Sequence, residues 1–203
     1  MQKFYAIFVL AAIAVLLITI TVYVLVFKTL EDTYAECRGG QVAGNLGGSF
    51  SLVNHDGELV TEQDVITEPT LIYFGYTFCP DICPLDTYRN VEAVRVLAQN
   101  GFSVTPIFIT FDPERDTQKV LKEFSNFMHP KMIGLTGSLE EIQKVAKKYR
   151  VYFKKHTNDN SENYLIDHTA FTYLVLPKIG YVNFFRRDLT AEQLADQVAC
   201  FLR

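Results

Sequence analysis

The sequence has no tryptophan, no internal repeat and no low-complexity segment. Basic residues are not in excess: 19 Lys and Arg stand against 23 Asp and Glu, a formal net charge of −4. That balance carries no electrostatic footprint for nucleic acid, which is excluded as a partner. Cysteine is scarce as well. Four in 203 residues do not make a disulfide-built scaffold, and a chain this long buries enough surface to fold without staples. Each cysteine pair therefore needs its own explanation.

Charge is missing altogether from residues 4–27, "FYAIFVLAAIAVLLITITVYVLVF". These 24 residues are enough to cross a bilayer with some tilt. Tyr5 and Tyr23 lie near the two ends, where aromatic rings favour the interface. A cleaved secretory signal is the alternative, but the apolar run is too long for it and no A-x-A site follows closely. The reading is an uncleaved signal-anchor over residues 1–28, holding the protein to membrane lipid. Lys3 flanks one side; Lys28, Glu31, Asp32 and Glu36 follow on the other, a slight lean to an inside N-terminus. That lean would put the remainder outside the cytoplasm, in an oxidising space if the source is a bacterium.

Residues 29–46 read as a tether with several glycines, and residues 47–203 as one folded domain. "SFSLVNHDGELVT" alternates and turns at Asp56-Gly57, a hairpin signal. "TLIYFGYTF" and "FSVTPIFITFD" are apolar runs of buried-strand type. Helical spacing follows each: Val91, Val94 and Leu97 ahead of Gly101, then Leu121, Phe124 and Phe127 on one side of "TQKVLKEFSNFM". "KMIGLTG" is a short strand. Ser138 and Glu141 form a capping box that opens the next helix. "TNDNSENYLID" is a polar loop. "TAFTYLVLP" and "YVNFFRR" make a terminal hairpin, and "TAEQLADQVACFLR" a closing helix. Strands alternating with helices imply parallel pairing. The expected fold is α/β, thioredoxin-like, with an N-terminal β-hairpin and insertions, preceded by a single transmembrane helix.

Chemistry concentrates in "YFGYTFCPDICPLD". Cys79 and Cys83, placed at a helix start, would share one face at i and i+4. The helix N-terminus lowers thiol pKa. Two accessible thiolates suit either redox chemistry or a soft metal, and a third ligand decides between them. His168, in "YLIDHTAFTYLVL", stands at the junction where thioredoxins carry a cis-proline; this sequence has no proline there. An imidazole opposite a dithiolate points to metal, against the simpler role of a strand cap. Two thiolates and one imidazole suit Cu(I), and Cu(II) would want a fourth ligand. Zinc is the rival, which spacing does not separate from copper. In "FITFDPERDT", Asp112 ends a strand on the same edge as Cys79. It is either a carboxylate that tunes the metal site or part of a helix-capping turn in which Asp116 or Thr117 caps.

"FGYTFCPDICP", "TFDPERDT" and "YLIDHTAFTYLV", in this order, resemble the three signature blocks of the Sco/SenC family, and "GGSFSLVNHDGELVTEQD" ahead of them resembles that family's opening hairpin, so the likeness runs through the domain from Gly47 onward. The resemblance implies a membrane-tethered, thioredoxin-like copper chaperone without turnover. Its partner would be subunit II of cytochrome c oxidase, whose CuA centre it helps to build, with another copper chaperone as a further partner. It implies copper over zinc, Cys79, Cys83 and His168 as ligands, and Asp112 near the site. By the same resemblance the protein sits in the inner membrane and faces the periplasm, or the mitochondrial intermembrane space in a eukaryote. A thiol–disulfide oxidoreductase that keeps the receiving cysteines reduced is the alternative, with Cys79 and Cys83 as its redox pair. A peroxiredoxin-like peroxidase is disfavoured, because Thr77 stands two residues before Cys79 rather than three. Cys37 and Cys200 have no place in the family core. A disulfide between them would tie the tether to the last helix, worth about 4–5 kcal/mol in the chain-entropy model.

Overall fold

The strands that carry the core are the ones whose sequences leave no polar face. In β3 (Thr70–Gly75) and β4 (Thr105–Thr110) all six residues are buried, as a central parallel strand covered on both sides requires. The computed structural model describes residues 2–28, 34–38, 46–156 and 164–203. It divides into two compact units, Met1–Gln41 and Val42–Arg203.

In the first unit the backbone of α1 is helical from Gln2 to Lys28. Counted over the residues whose side chains are described, no helix is long and apolar enough to cross a membrane. The glycines of the tether at 39–45 and most of the polar loop, 157–163, lie outside the described residues.

The second unit is a mixed α/β domain. Its seven-stranded sheet runs β2-β1-β5-β4-β3-β8-β9, with β1 (Ser51–Asn54), β2 (Leu59–Thr61), β5 (Ile133–Thr136), β8 (Thr172–Leu176) and β9 (Gly180–Phe185). β3, β4 and β5 pair in parallel, and every other pairing in that sheet is antiparallel. The helices are α2 (Glu62–Val65), α3 (Ile82–Gln99), α4 (Gln118–Met128), α5 (Leu139–Lys148) and α6 (Ala191–Cys200). The expected hairpin forms with Gly57 at φ +90° in its turn, and α5 opens on the Ser138/Glu141 capping box.

Three expectations are corrected. Phe127 does not share the buried side of α4: it is 84% exposed, while Leu121 is fully buried. A position six residues on is turned about 240° from Leu121 at about 100° per residue. The core-facing set is instead Leu121, Phe124, Ser125 and Met128, at i, i+3, i+4 and i+7. Second, the end of the polar loop is not irregular. Ile166–His168 forms β7, which pairs antiparallel with β6 (Phe153–Lys155), His168 standing opposite Phe153. Third, α3 begins at Ile82, so Cys79 lies in the loop ahead of the helix, not on its face.

The register explains why distant segments meet. β8 runs antiparallel to β3, with Tyr73 opposite Thr172. The chain just before Thr172 therefore projects past the carboxyl end of β3, where the loop to Cys79 begins. The carboxyl end of β4 delivers 111–116 to the same edge.

Candidate metal centre

β3 ends at Gly75, and the chain must turn at once into α3. A turn closes there, with the Cys79 amide donating to the Tyr76 carbonyl at 3.3 Å. Cys83 is the second helical residue and Pro84 the third, in the first turn, where a missing N–H costs nothing. The Cys83 amide points back at Cys79 Sγ, 3.5 Å away. The two sulfurs meet because the loop folds onto the first turn of the helix, not because of helical i,i+4 spacing. Gly75 makes room for this: a Cβ there would lie 2.9 Å from the Phe108 ring, 3.0 Å from the Tyr73 ring and 3.1 Å from Cys83 Sγ.

His168 comes in from β7. Its Nε2 is 3.3 Å from Cys83 Sγ, and Nδ1 lies 3.1 Å from the Thr169 carbonyl oxygen. That oxygen only accepts, so the proton belongs on Nδ1 and the Nε2 lone pair faces the sulfurs. The imidazole is held between Tyr76, edge-on at 6.1 Å, and Phe111 at 4.8 Å. Phe111 stacks on Phe153 at 5.2 Å. One ligand atom each from Cys79, Cys83 and His168 lie within 4.8 Å of one another. Cys83 is buried; Cys79 and His168 are partly exposed. Among the described residues the free thiols are Cys79 and Cys83. A cleft of about 560 Å³ beside Glu62, Glu141, Lys144 and Lys148 is lined by neither thiol nor imidazole.

The two thiols are unlike. Cys79 is brought down to about 4, first by its hydrogen bond with Cys83 and then by the Cys83 and Asp81 amides and Tyr76, against the cost of burial. Cys83 is driven up by the same Cys79 contact and by burial. At neutral pH the pair therefore presents a partly exposed thiolate beside a buried thiol. Tyr76 is pushed up to about 12 by burial and the nearby sulfurs, and its hydroxyl accepts the Ile166 amide at 3.3 Å.

Asp112 is not among the clustered ligand atoms. It is 3% exposed, with one carboxylate oxygen taken by Arg115 Nε at 2.6 Å and the other by the Tyr164 hydroxyl at 2.5 Å. The cap of α4 is Thr117, whose hydroxyl accepts the Val120 amide at 3.4 Å. Asp116 is no cap. Fully buried, it accepts from the Thr77 amide at 2.9 Å, the Thr77 hydroxyl at 2.5 Å and the Thr110 hydroxyl at 2.5 Å. It thus ties the end of β4 to the cysteine loop, and burial raises its pKa. Sequence reasoning gave no site role to Gly75, Tyr76, Arg115, Asp116 or Tyr164. All five lie inside the quoted motifs, so the motif blocks were the available signal.

A sequence profile described as SCO1/SenC matches residues 38–203. Protein SenC of Rhodobacter capsulatus is 46% identical over 193 residues, 94% of this chain and 87% of that protein. Arabidopsis thaliana ScoI, solved with copper bound, superposes with a TM-score of 0.73 at 42% identity, covering 77% of this chain and 98% of that one. BsSco, described as a member of the Sco family of cytochrome c oxidase assembly proteins, gives a TM-score of 0.60 at 26% identity, over 79% of this chain and 96% of that one. By sequence match and by a shared thioredoxin-like fold, this chain belongs to the SCO1/SenC family.

Proposed function

We propose that this protein is a membrane-anchored copper chaperone that delivers copper to the CuA centre of cytochrome c oxidase subunit II. The observation that carries the reading is the convergence of Cys79 Sγ, Cys83 Sγ and His168 Nε2 within 4.8 Å at the sheet edge. Two sulfurs and one imidazole nitrogen are a soft, three-point donor set that suits Cu(I). A fourth position left to water or a carboxylate would accommodate Cu(II). The copper-bound relative supports copper over zinc. Copper is cargo in this reading. The partly exposed Cys79 and His168 let a receiving site's thiolates approach, so ligands exchange one at a time. Asp112 acts from behind the site through its neighbours. A second copper chaperone would load it.

The apolar run at 4–27 supports an anchor over 1–28 and a tether over 29–46. The domain would then face the periplasm, or the intermembrane space of a mitochondrion. In that oxidising setting Cys37 and Cys200 are expected to pair as a structural disulfide, in keeping with Cys79 and Cys83 as the free thiols.

One observation favours a second reading. A partly exposed low-pKa thiolate beside a buried thiol is the asymmetry of a thiol–disulfide reductase, which would keep the partner's cysteines reduced.

The deciding experiment titrates the reduced domain without residues 1–30 with Cu(I) against a competing chelator, beside His168→Ala and Cys83→Ser. One tightly bound copper, lost by orders of magnitude in both variants, is the expected result. A His168→Ala domain that binds as tightly as the wild type sinks the three-ligand site and leaves the reductase reading.

A further inference from the structure

The three candidate ligands come from two segments that share no ladder. Cys79 and Cys83 belong to the loop between β3 and α3. His168 belongs to β7, which pairs with β6 in a separate two-stranded ribbon. The Ile166 amide's bond to the Tyr76 hydroxyl ties the two at one point, and a second tie is needed to fix the angle of the ribbon and with it the Sγ–Nε2 distance.

Arg115 occupies that place. Its guanidinium carbon lies 3.5 Å from the Tyr164 ring centroid, 5.5 Å from Tyr76 and 5.1 Å from Phe78. Tyr76 and Phe78 flank the turn that holds Cys79. Tyr164 stands two residues ahead of β7. One cation therefore sits against rings from both segments, a contact that strengthens where water is excluded. The Arg115 side chain is only 14% exposed. Asp112 completes the arrangement by accepting from Arg115 Nε and from the Tyr164 hydroxyl on its two oxygens. Its own amide is held by the Thr110 hydroxyl at 2.9 Å, so the carboxylate stands on the rigid end of β4. A partly buried ion pair of this kind gains little stability after desolvation. Its yield is geometry.

We propose that Arg115 is a positioning residue for metal binding: clamped by Asp112, it locks the His168 ribbon to the cysteine loop through Tyr164, Tyr76 and Phe78. The proposal rests on the Cys79, Cys83 and His168 reading. It predicts that loss of Arg115 harms binding only through His168.

The test is a double-mutant cycle on the reduced domain, with Arg115→Gln, His168→Ala and the pair of both, each titrated with Cu(I) against a chelator. Imidazole nitrogen signals of His168 are recorded on the metal-free Arg115→Gln domain. Arg115→Gln should weaken Cu(I) at least tenfold and shift or broaden the His168 signals. Added to His168→Ala, it should weaken binding no further. Tyr164→Phe, which keeps the ring and removes only the hydroxyl bond to Asp112, should show the same effects in milder form, and it stands in for Arg115→Gln should that variant fail to fold. Unchanged affinity in Arg115→Gln overturns the proposal, as does a double variant whose loss is the product of the two single losses. Should His168→Ala bind like the wild type, the site reading itself falls and the proposal with it. An intact His168→Ala loss beside a silent Arg115→Gln removes the proposal alone.

Discussion

Gly75 shows how little space separates a strand end from the candidate metal site. A methyl group there meets two aromatic rings and the Cys83 sulfur at 3.1 Å or less, and none of these neighbours is the free end of a flexible chain. Gly75→Ala should therefore destabilise the domain by about 1–3 kcal/mol, the usual cost of overpacking. Thermal denaturation reads that cost, and copper affinity should fall in the same variant. The thiols make a separate claim at this scale. With Cys79 near 4, its thiolate is already complete at neutral pH. Alkylation of the reduced, metal-free domain by iodoacetamide should proceed at Cys79 at a rate that hardly changes from about pH 6 to 8, in contrast with an ordinary thiol of pKa about 8.5. Cys83, buried and shifted upward, should stay unmodified. Peptide mapping by mass spectrometry separates the two, and a Cys79 rate rising tenfold per pH unit across that range would refute the assignment.

Elements were legible where one physical signal decided them. β3 and β4 read as buried strands because they are continuous apolar runs, and α5 announced itself through Ser138 and Glu141. The α4 face was misread because Phe127 is apolar, and apolar character without the right angle does not bury a residue. The contrast is measurable: Leu121→Ala should cost about 2–5 kcal/mol, whereas Phe127→Ser should stay within about 0.5 kcal/mol, both by denaturant melts. The ribbon β6–β7 escaped notice because each strand has three residues and "ENYLIDH" has no apolar alternation to mark it. At the candidate site, the convergence of Cys79, Cys83 and His168 was legible from residue type and place in the fold. Asp116 and Arg115 were not. Their roles depend on contacts with Thr77 and Tyr164, 39 and 49 positions away along the chain, which no local pattern encodes. Asp116→Ala would strand the Thr77 amide and the Thr110 hydroxyl inside the protein. A loss of about 2–4 kcal/mol is expected for those unsatisfied groups together, with faster alkylation of Cys83 as the loop loosens.

For the whole molecule, the sheet order puts the carboxyl ends of two parallel strands and the entry to an antiparallel one at a single edge, the usual location for ligands in open α/β sheets. Copper at about a thousandfold excess over its dissociation constant should stabilise the folded state by about 4 kcal/mol, which raises the melting temperature by about 10 °C for a domain of this size. Calorimetry of the reduced domain with and without Cu(I) checks it, and His168→Ala should lose most of the gain. The spacing of the donors has a further consequence. Cys83 and His168 are 85 positions apart, so an ion held by both is a cross-link that staples the middle of the chain to its last third and closes a long loop. Loading and stiffening are then one event, and so are unloading and relaxation. The Ile166 and Thr169 amides, bonded to Tyr76 and Tyr152, should exchange with solvent more slowly when copper is bound. The stiffness of the ribbon thus reports whether the ion is held.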